Sequence, residues 1–375
     1  MISQEERRNF GEVVDRLVTL PIFVGSTLAG RPIVLELYDA ARAKFGEPLT
    51  FLATDLILKS IKHGGTAILT TGFIVPPWLR AETDGPIGAL TLSRALNILG
   101  VTPLIITEEV LVDDISRLCM AAGFEVCDPE KATRLPRRIS VRPFTHEVER
   151  AEAEARKILD EVKPSVVIAI EKASRNEKGE YHSGIGVNIT SMTAKVDFLI
   201  TEARKKGIPT IGIGDGGNEI GMGCIKEAVK KISPTGTQCK CPCGAGTHAA
   251  TETDVLVVAA VSNWGAYGIE ACIGHALQRI ELLHSYEMEE LLLEESGRIG
   301  FIDPASGFGE PWADHIPKKL HSHLIDMLKY ATLVRIREDI LIQKYREYAT
   351  ERLKETIEII SRWRELIGRR RVKDW

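Results

Sequence analysis

The chain has 375 residues, of which 44% are hydrophobic, and it carries a formal net charge of −4. This composition suits a globular protein with one large core or two moderate ones, and the charge excludes a general attraction to nucleic acid or to an anionic membrane. The apolar runs are too short to span a bilayer, and the N-terminus lacks the apolar core of a signal peptide. We therefore expect a cytoplasmic protein whose partner is a small-molecule substrate, with no nucleic acid and no membrane.

Short β-branched runs alternate with helical patterns along most of the chain. The alternation predicts an α/β fold, a mostly parallel open sheet with helices on both faces. The predicted strands are Thr66–Phe73, Val101–Thr107, Ser165–Glu171, Thr210–Asp215 and Asp254–Ser262, and the predicted helices include Ile87–Leu99, Asp113–Ala122 and Glu147–Val162. In such folds ligands bind beyond the carboxyl ends of the strands. Residues at those ends are therefore candidates for substrate binding: Thr71, Gly72, Asn263 and Trp264.

The segment 82–90 follows the first predicted strand and has the features of a helix start. Thr83 or Asp84 is placed to cap the helix, and Pro86 suits its first turn. A helix start with free backbone N–H groups can hold a substrate carboxylate. We expect Asp84 and Gly85 to contact the substrate, with simple capping as the alternative.

The segment 171–183 opens at a strand end and carries several side chains that can transfer protons or hold charge. Glu171 can hold a cation or act as a base, and His182 titrates near neutrality. Lys172 and Arg175 can neutralise a carboxylate. We expect Glu171, Lys172 and His182 to be catalytic, and Arg175 and Asn176 to bind substrate, whereas a solvated charged loop would be the alternative.

The glycine-rich stretch 211–223 follows another buried strand. Phosphate-binding loops carry a Lys or at least lack acids, but this loop carries Asp215 and Glu219 and no basic residue. The expected guest is therefore a cation, either a substrate ammonium or a divalent metal held by Asp215, Glu219 and Glu171. Oxygen ligands would favour Mg²⁺ or Mn²⁺. We also expect Asp215 to be catalytic and Asn218 to bind substrate, unless the loop is only a tight turn. No nucleotide cofactor is expected.

Three cysteines are spaced as C-x-C-x-C at Cys239, Cys241 and Cys243. They could bind zinc with Cys224 or His248 completing the site, although structural zinc sites favour C-x2-C pairs. A disulfide or unremarkable thiols are the alternatives.

The last part of the chain, 333–367, lacks glycine and proline and has the pattern of a long amphipathic helix. Its apolar positions are Leu341, Tyr345, Tyr348, Leu353, Ile357, Ile360, Trp363 and Ile367. The stripe would pack on the core of the chain or against a second subunit, which makes a homo-oligomer possible. We expect an α/β catalytic domain over 1–330 and a helical extension with a basic tail over 331–375.

Four segments together resemble one known family. They are ETDGPIGAL (82–90), EKASRNEKGEYHS (171–183), GIGDGGNEIGMG (212–223) and VSNWGAYG (261–268), and they resemble the D-glutamate cyclase family, in particular the C-terminal domain of the animal mitochondrial enzyme and its free-standing prokaryotic relatives. The resemblance implies a hydro-lyase that converts D-glutamate to 5-oxo-D-proline. The animal enzyme also has a large N-terminal domain, and the segment 239–243 and the C-terminal tail lie outside the family pattern.

The residues also allow other functions. Ring closure needs a base, a charge partner for the γ-carboxylate and an acid, and the candidates above offer all three. The same groups could serve a metal-assisted hydratase, dehydratase or hydrolase on another small carboxylic acid, or a non-catalytic amino-acid-binding module.

Overall fold

The computed structural model describes residues 2–22, 32–132, 136–336 and 349–363. By compactness the chain divides into two units, Met1–Lys329 and Tyr330–Trp375. The predicted assignment of 1–330 as the catalytic domain and of 331–375 as an extension stays a prediction. Within the described residues, no helix is both long and apolar enough to cross a membrane.

The helices occupy most of the chain between the strands. Their bounds are α1 (Gln4–Val18), α2 (Val34–Phe45), α3 (Leu49–Ser60), α4 (Pro86–Ile98), α5 (Val112–Ala121), α6 (Pro129–Ala132), α7 (Val148–Val162), α8 (Asp197–Lys205), α9 (Lys226–Ile232), α10 (Ser262–Leu277), α11 (Tyr286–Ile299) and α12 (Lys318–Ile336). Short 3₁₀ turns lie at Glu109–Leu111, Thr190–Met192, Met222–Ile225 and Ile280–Leu282. Local sequence explains several starts: Ser3 and Glu6 form a reciprocal capping box before α1, and Pro86 occupies the first turn of α4 as predicted.

The strands are short and mostly buried. Their bounds are β1 (Thr66–Thr70), β2 (Ile74–Val75), β3 (Arg80–Ala81), β4 (Thr102–Thr107), β5 (Glu125–Val126), β6 (Arg138–Pro143), β7 (Val166–Ile170), β8 (Thr210–Gly214), β9 (Val255–Val258), β10 (Trp312–Ala313) and β11 (Ile316–Pro317). Strands β2 and β3 pair as one small antiparallel ribbon, and β10 and β11 pair as another.

The main sheet is parallel, with strand order β5-β6-β4-β1-β7-β8-β9 among the described residues. This confirms the predicted α/β fold. All five predicted strands are present, while β5 and β6, at one edge, escaped prediction. The chain runs outward from β1 through β4 on one side and through β7, β8 and β9 on the other. The strand order therefore reverses between β1 and β7, and such a reversal opens a crevice at the carboxyl ends.

Helices cover both faces of this sheet, as predicted. On one face α7 and α8 pack against strand side chains such as Ile68, Leu104 and Val167. On the other face α1, α3, α4 and α10 form a layer. Gly268 of α10 lies so close to α1 that an added Cβ would be 3.0 Å from Val14 and Val18. Each fully buried aliphatic side chain contributes roughly 1.5–3 kcal/mol, so the two layers hold the strand ends in fixed positions.

Residues 349–363 are helical, in agreement with the predicted C-terminal helix. The side chains of Leu353, Ile357, Ile360 and Trp363 are exposed. The predicted stripe positions Leu341, Tyr345, Tyr348 and Ile367 lie outside the described residues. The expected homo-oligomer stays a prediction.

Candidate active site at the carboxyl edge of the sheet

A pocket of about 480 Å³ opens where the strand order reverses. Among the described residues, its lining contains no Lys or Arg. One wall is apolar and includes Phe73, Trp78 and Ile185. The lining also carries five carboxyl groups, those of Glu82, Glu171, Asp215, Glu219 and Asp314. An acidic pocket with an apolar wall favours a small guest that brings positive charge.

Glu171 is held in the pocket by an uncommon backbone conformation. It directly follows β7, its φ is +42°, and its backbone N–H donates to the carbonyl of Ile213 at 3.1 Å. Left-handed backbone is costly for a residue with a side chain, and it is concentrated at functional sites. The hydroxyl of Ser262 donates to Glu171 Oε2 at 2.6 Å. Gly85 packs against Glu171 so tightly that an added Cβ would lie 2.7 Å from the Cβ of Glu171.

The glycine-rich loop folds back on its own glutamate. The backbone N–H groups of Gly216 and Gly217 each donate to the Glu219 carboxylate at 2.8 Å. Asp215, at the end of β8, therefore lies beside a carboxylate that is already oriented. Asn218 lines the pocket and donates from Nδ2 to the carbonyl of His182 at 3.0 Å. The loop is thus a tight turn that also presents two carboxylates.

The start of α4 is capped by the protein itself. Asn263 Oδ1 accepts from the N–H groups of Gly85 at 2.9 Å and Gly88 at 2.7 Å. In return Asp84 accepts from the N–H groups of Ser262 at 2.8 Å and Asn263 at 2.7 Å, at the start of α10. The two helix starts are capped reciprocally. The N–H groups expected to hold a substrate carboxylate already have an acceptor. The acceptor that they share is Asn263, and neither Thr83 nor Asp84, the residues predicted to cap this helix.

Asp314 reaches the pocket from the hairpin between β10 and β11. Asp314 and His315 form its turn with φ values of +50° and +61°. A buried histidine, His321, connects the hairpin to the core. Trp264 Nε1 donates to His321 Nδ1 at 2.8 Å. His321 Nε2 then lies 3.2 Å from the carbonyl of Ala313 and 3.1 Å from that of Ile316. Trp264 therefore lies in the core and orients the hairpin rather than lining the pocket.

Asp215 joins two groups of carboxylates. One ligand atom from each of Asp84, Asp215 and Asp314 lies within 4.8 Å of the others, and the same holds for Glu171, Asp215 and Glu219. Burial, and then the repulsion of neighbouring carboxylates, raises the pKa of Glu171 and of Asp215 well above the usual range. Burial raises the pKa of Asp314 to about 6. The pKa values of Glu82 and Asp84 are raised for the same reasons, burial first. Asp314, whose pKa lies near 6, can therefore both donate and accept a proton near neutrality.

Lys172 points away from this pocket, although it follows Glu171 directly. Its Nζ forms a fully buried ion pair with Glu108 and donates to the carbonyl of Gly72 at 2.9 Å. Although adjacent in sequence, the two side chains have different partners, Ser262 for Glu171 and Glu108 for Lys172. Gly72 itself has φ +99°. Thr71 Oγ1 is buried without a hydrogen-bond partner among the described residues.

Three further predicted site residues lie elsewhere. The Arg175 guanidinium stacks 4.7 Å from the Phe198 ring centroid, beside a separate shallow depression. His182 and Asn176 lie with the three cysteines. Two residues of the pocket, Asp314 and Glu82, were not predicted from the sequence. Glu82 belongs to a segment that was singled out, whereas Asp314 follows a two-residue strand with no periodic signal.

Comparison with known proteins agrees with the resemblance noted above. A family model described as D-glutamate cyclase-like, C-terminal, matches residues 43–329. The human protein D-glutamate cyclase, mitochondrial (Homo sapiens), is 34% identical to the chain over 233 residues. The match covers 59% of this chain but only 35% of the human protein, so the chain spans about a third of the length of that relative. The relative's name places that protein in mitochondria, and the cytoplasmic location expected for this chain stays a prediction.

Proposed function

The chain belongs to the D-glutamate cyclase-like family, and from this premise we propose that it closes D-glutamate to 5-oxo-D-proline with loss of water. It would then act as a hydro-lyase. The observation that carries the proposal is the pocket of about 480 Å³ that Glu171, Asp215 and Asp314 line together, each with a raised pKa.

Ring closure is an attack of the substrate on itself. The α-nitrogen bonds to the γ-carboxyl carbon, and one carboxyl oxygen leaves as water. The ammonium gives up two protons in all, and the departing oxygen takes up two, so the reaction consumes and releases no net proton. Holding the amine against the carboxyl group in near-attack geometry is worth up to roughly 7–11 kcal/mol, which makes an activating nucleotide unnecessary.

The carboxyl groups of the pocket supply the proton transfers in this proposal. Glu171, oriented by Ser262, takes the proton from the substrate ammonium, because a carboxylate with a raised pKa is a stronger base. Asp314, with a pKa of about 6, is partly protonated near neutrality and gives a proton to the departing oxygen. Asp215 has a carboxylate oxygen within 4.8 Å of one from each of Glu171 and Asp314.

The substrate carboxylates also need a charge partner, and a divalent cation could serve as one. Glu171, Asp215 and Glu219 place three oxygen ligands within 4.8 Å of one another, which suits Mg²⁺ or Mn²⁺. Bound there, the cation would neutralise the carboxylates of the substrate and polarise the γ-carboxyl group. The glycine-rich loop supports this arrangement, since two backbone N–H groups already orient the Glu219 carboxylate.

The other predicted site residues receive supporting roles in this proposal. Lys172 forms a buried ion pair with Glu108 and supports the fold beside the pocket. Asn263 caps α4, and Trp264 fixes the hairpin that presents Asp314. Asn218 remains in the lining and is proposed to contact substrate.

The test is incubation of the purified full chain with D-glutamate and, separately, with L-glutamate, followed by chiral chromatography of 5-oxoproline. We expect product from D-glutamate, its loss with a chelator, and recovery on addition of Mg²⁺ or Mn²⁺. Asp215→Asn should reduce turnover strongly, whereas Asp128→Asn, at a side chain 77% exposed, should not. Binding of D-glutamate without turnover would instead indicate an amino-acid-binding module. Neither binding nor turnover would indicate another small carboxylic acid as the substrate.

A further inference from the structure

Three cysteines and one histidine that are far apart in sequence meet beside the pocket. Cys239, Cys241 and Cys243 lie in the loop after α9, and His182 lies in the loop after β7. Together they are called the cysteine cluster below. Cys239 and His182 are buried, and the other two are half-buried. All seven cysteines of the chain are free, so the structure contains no disulfide.

The four ligand atoms are close enough together to surround one ion, since all lie within 4.8 Å of one another. Cys239 Sγ lies 3.5 Å from Cys241 Sγ and 3.3 Å from Cys243 Sγ. His182 Nε2 lies 3.2 Å from Cys241 Sγ and 3.8 Å from Cys243 Sγ. Tetrahedral zinc, with Zn–S near 2.3 Å and Zn–N near 2.0 Å, places sulfurs about 3.8 Å apart and nitrogen about 3.5 Å from sulfur. The two observed nitrogen–sulfur distances bracket the expected value, and the two sulfur–sulfur distances are about 0.3–0.5 Å shorter than expected. A disulfide, in contrast, needs about 2.05 Å.

A second observation concerns the hydrogen bonds made to the sulfurs. Asn176 Nδ2 donates to Cys243 Sγ at 3.5 Å, and Asn188 Nδ2 donates to Cys241 Sγ at 3.6 Å. The amide orientations are fixed, because Asn176 Oδ1 accepts from two backbone N–H groups and Asn188 Oδ1 accepts from the Thr190 N–H. The sulfurs of Cys241 and Cys243 therefore accept hydrogen bonds, as metal-bound thiolates do, whereas Cys239 Sγ donates to the Cys241 carbonyl at 3.7 Å.

The two residues that the sequence suggested as additional ligands lie outside the cluster. Cys224 donates from Sγ to the carbonyl of Thr253 at 3.2 Å. His248 Nδ1 is 2.7 Å from the carbonyl of Gly236. The zinc site considered from the cysteine spacing stays a prediction, and the histidine that lies with the three cysteines is His182, from the loop after β7.

We propose that the cysteine cluster binds one structural zinc ion. Three sulfurs and one imidazole nitrogen complete the four-coordinate shell of zinc and leave no position for substrate. The ion would join the loop after α9 to the loop after β7, which the Lys240 N–H to Gly186 carbonyl bond of 2.9 Å already connects. Ser183, Gly184 and Ile185, next to His182, line the carboxylate pocket. The zinc therefore fixes one wall of that pocket without taking part in the reaction.

The site differs in chemistry from the proposed cation site in the pocket. Oxygen ligands there suit Mg²⁺ or Mn²⁺, whereas thiolates select zinc. The inference does not depend on the reaction proposed above, since its measurements are metal content and spectra rather than turnover.

The test begins with the metal content of the full chain after gel filtration in buffer with added Zn²⁺. We expect about one zinc per chain. Cys243→Ser and His182→Ala should each lower zinc affinity by more than about tenfold, because even an indirect partner of a zinc ligand costs 10–100-fold. Cys224→Ser is the matched control and should keep its zinc. Equal zinc loss in Cys224→Ser and Cys243→Ser would overturn the proposal.

Two further measurements guard against a variant that fails to fold. His182→Cys keeps four ligands of suitable type and should retain zinc, whereas His182→Ala should not. In the unmodified chain, Co²⁺ in place of zinc should give the thiolate-to-metal absorption of a tetrahedral sulfur site, and a thiol-specific mercurial should release zinc. A chain that binds no zinc, or a Co²⁺ form without thiolate absorption, would refute the site.

Discussion

Two buried clusters of carboxylates in this chain are arranged in opposite ways. Around His284, Glu270 and Glu289 lie on either side of one imidazole, at 2.8 Å and 3.2 Å, and Tyr267 donates to Glu289 at 2.9 Å. In the pocket, the carboxyl groups of Asp84, Asp215 and Asp314 face one another. The first cluster contains its own cation. The second lacks one among the described residues.

The difference separates residues that stabilise the fold from residues that are available to bind a ligand. A buried charge is tolerated when it is paired, and removal of one partner is costly. The His284 cluster satisfies this rule and joins α10 to α11 in the core. The pocket breaks the rule, and like charges held together by a rigid scaffold without a neighbouring cation are typical of ligand sites. Four predictions test this contrast, in order of decreasing effect.

The largest effect is expected from Glu171→Gln in the pocket. The amide keeps the size of the side chain but cannot act as a base, so turnover of D-glutamate should fall by roughly 10²–10⁴-fold. This corresponds to about 2.7–5.5 kcal/mol of barrier. The melting temperature should not fall, because the change removes one of several repelling charges.

The matched control for this change is Glu227→Gln, at a surface carboxylate 71% exposed. It should leave both turnover and melting unaltered. A loss of stability in Glu171→Gln that is as large as its loss of turnover would contradict the assignment of Glu171 to function.

The second prediction breaks the paired cluster. His284→Leu leaves Glu270 and Glu289 buried without their cation, so the free energy of unfolding should fall by about 3–5 kcal/mol. Urea denaturation measures this value. The exposed His323, changed to Leu, is the control and should shift unfolding by less than about 0.5 kcal/mol.

The same cluster has a defined pH dependence. Burial by itself would lower the pKa of His284. The neighbouring carboxylates, Glu270 first and then Glu289, together have the larger effect and raise it to about 9. A raised histidine pKa stabilises the fold fully below the unfolded value near 6.5. That contribution is lost as the pH rises through about 9. His284→Leu should therefore flatten the decline in stability between about pH 6.5 and pH 9, and an unchanged decline would refute the pairing.

The pocket and the core were not equally predictable from sequence. Glu171 and Asp215 could be found because they directly follow strands that a run of β-branched residues identifies. Lys172 was expected beside them, but its side chain faces the opposite side and pairs with Glu108. Predicting that required the exact residue at which the strand ends.

Long-range contacts explain the other differences. Asp314 reaches the pocket from a two-residue strand pair that has no hydrophobic periodicity. His182 meets Cys241 across 59 positions of sequence, so its place among the cysteines depends on how two loops pack. Local propensity carries no information about such loop packing.

The third prediction concerns the cost of the crowded carboxylates. Burial raises the pKa of Asp314 to about 6 from 3.8. A raised carboxyl pKa stabilises the fold only below the unfolded value, and that contribution is lost as the pH rises through about 6. A rise from 3.8 to about 6 corresponds to on the order of 3 kcal/mol.

Asp314→Asn should therefore raise the free energy of unfolding at pH 7.5 by up to on the order of 3 kcal/mol and change it little at pH 3.5. Thermal melting at the two pH values measures this. Added Mg²⁺ or Mn²⁺ should stabilise the unmodified chain, by about 2.7 kcal/mol at a hundred times the dissociation constant, and should stabilise the variant less. A variant that is equally destabilised at both pH values would show that Asp314 is a structural turn residue.

The smallest effect is expected from Ser262→Ala. The Ser262 hydroxyl donates to Glu171 at 2.6 Å and favours the ionised form of that carboxyl group. Without the donor the pKa of Glu171, already raised by burial and by neighbouring carboxylates, rises further. The base is then ionised only at higher pH, so the acid limb of the pH–rate profile should move upward. Turnover at the new optimum should fall by less than about tenfold, since one hydrogen bond contributes about 1 kcal/mol. Ser93→Ala makes the same change at a buried hydroxyl that bonds only within α4, to the carbonyl of Ala89, and should leave the profile in place. If both variants shift the profile alike, or neither does, Ser262 does not act through Glu171, and the pocket would have to find its base among the other carboxylates.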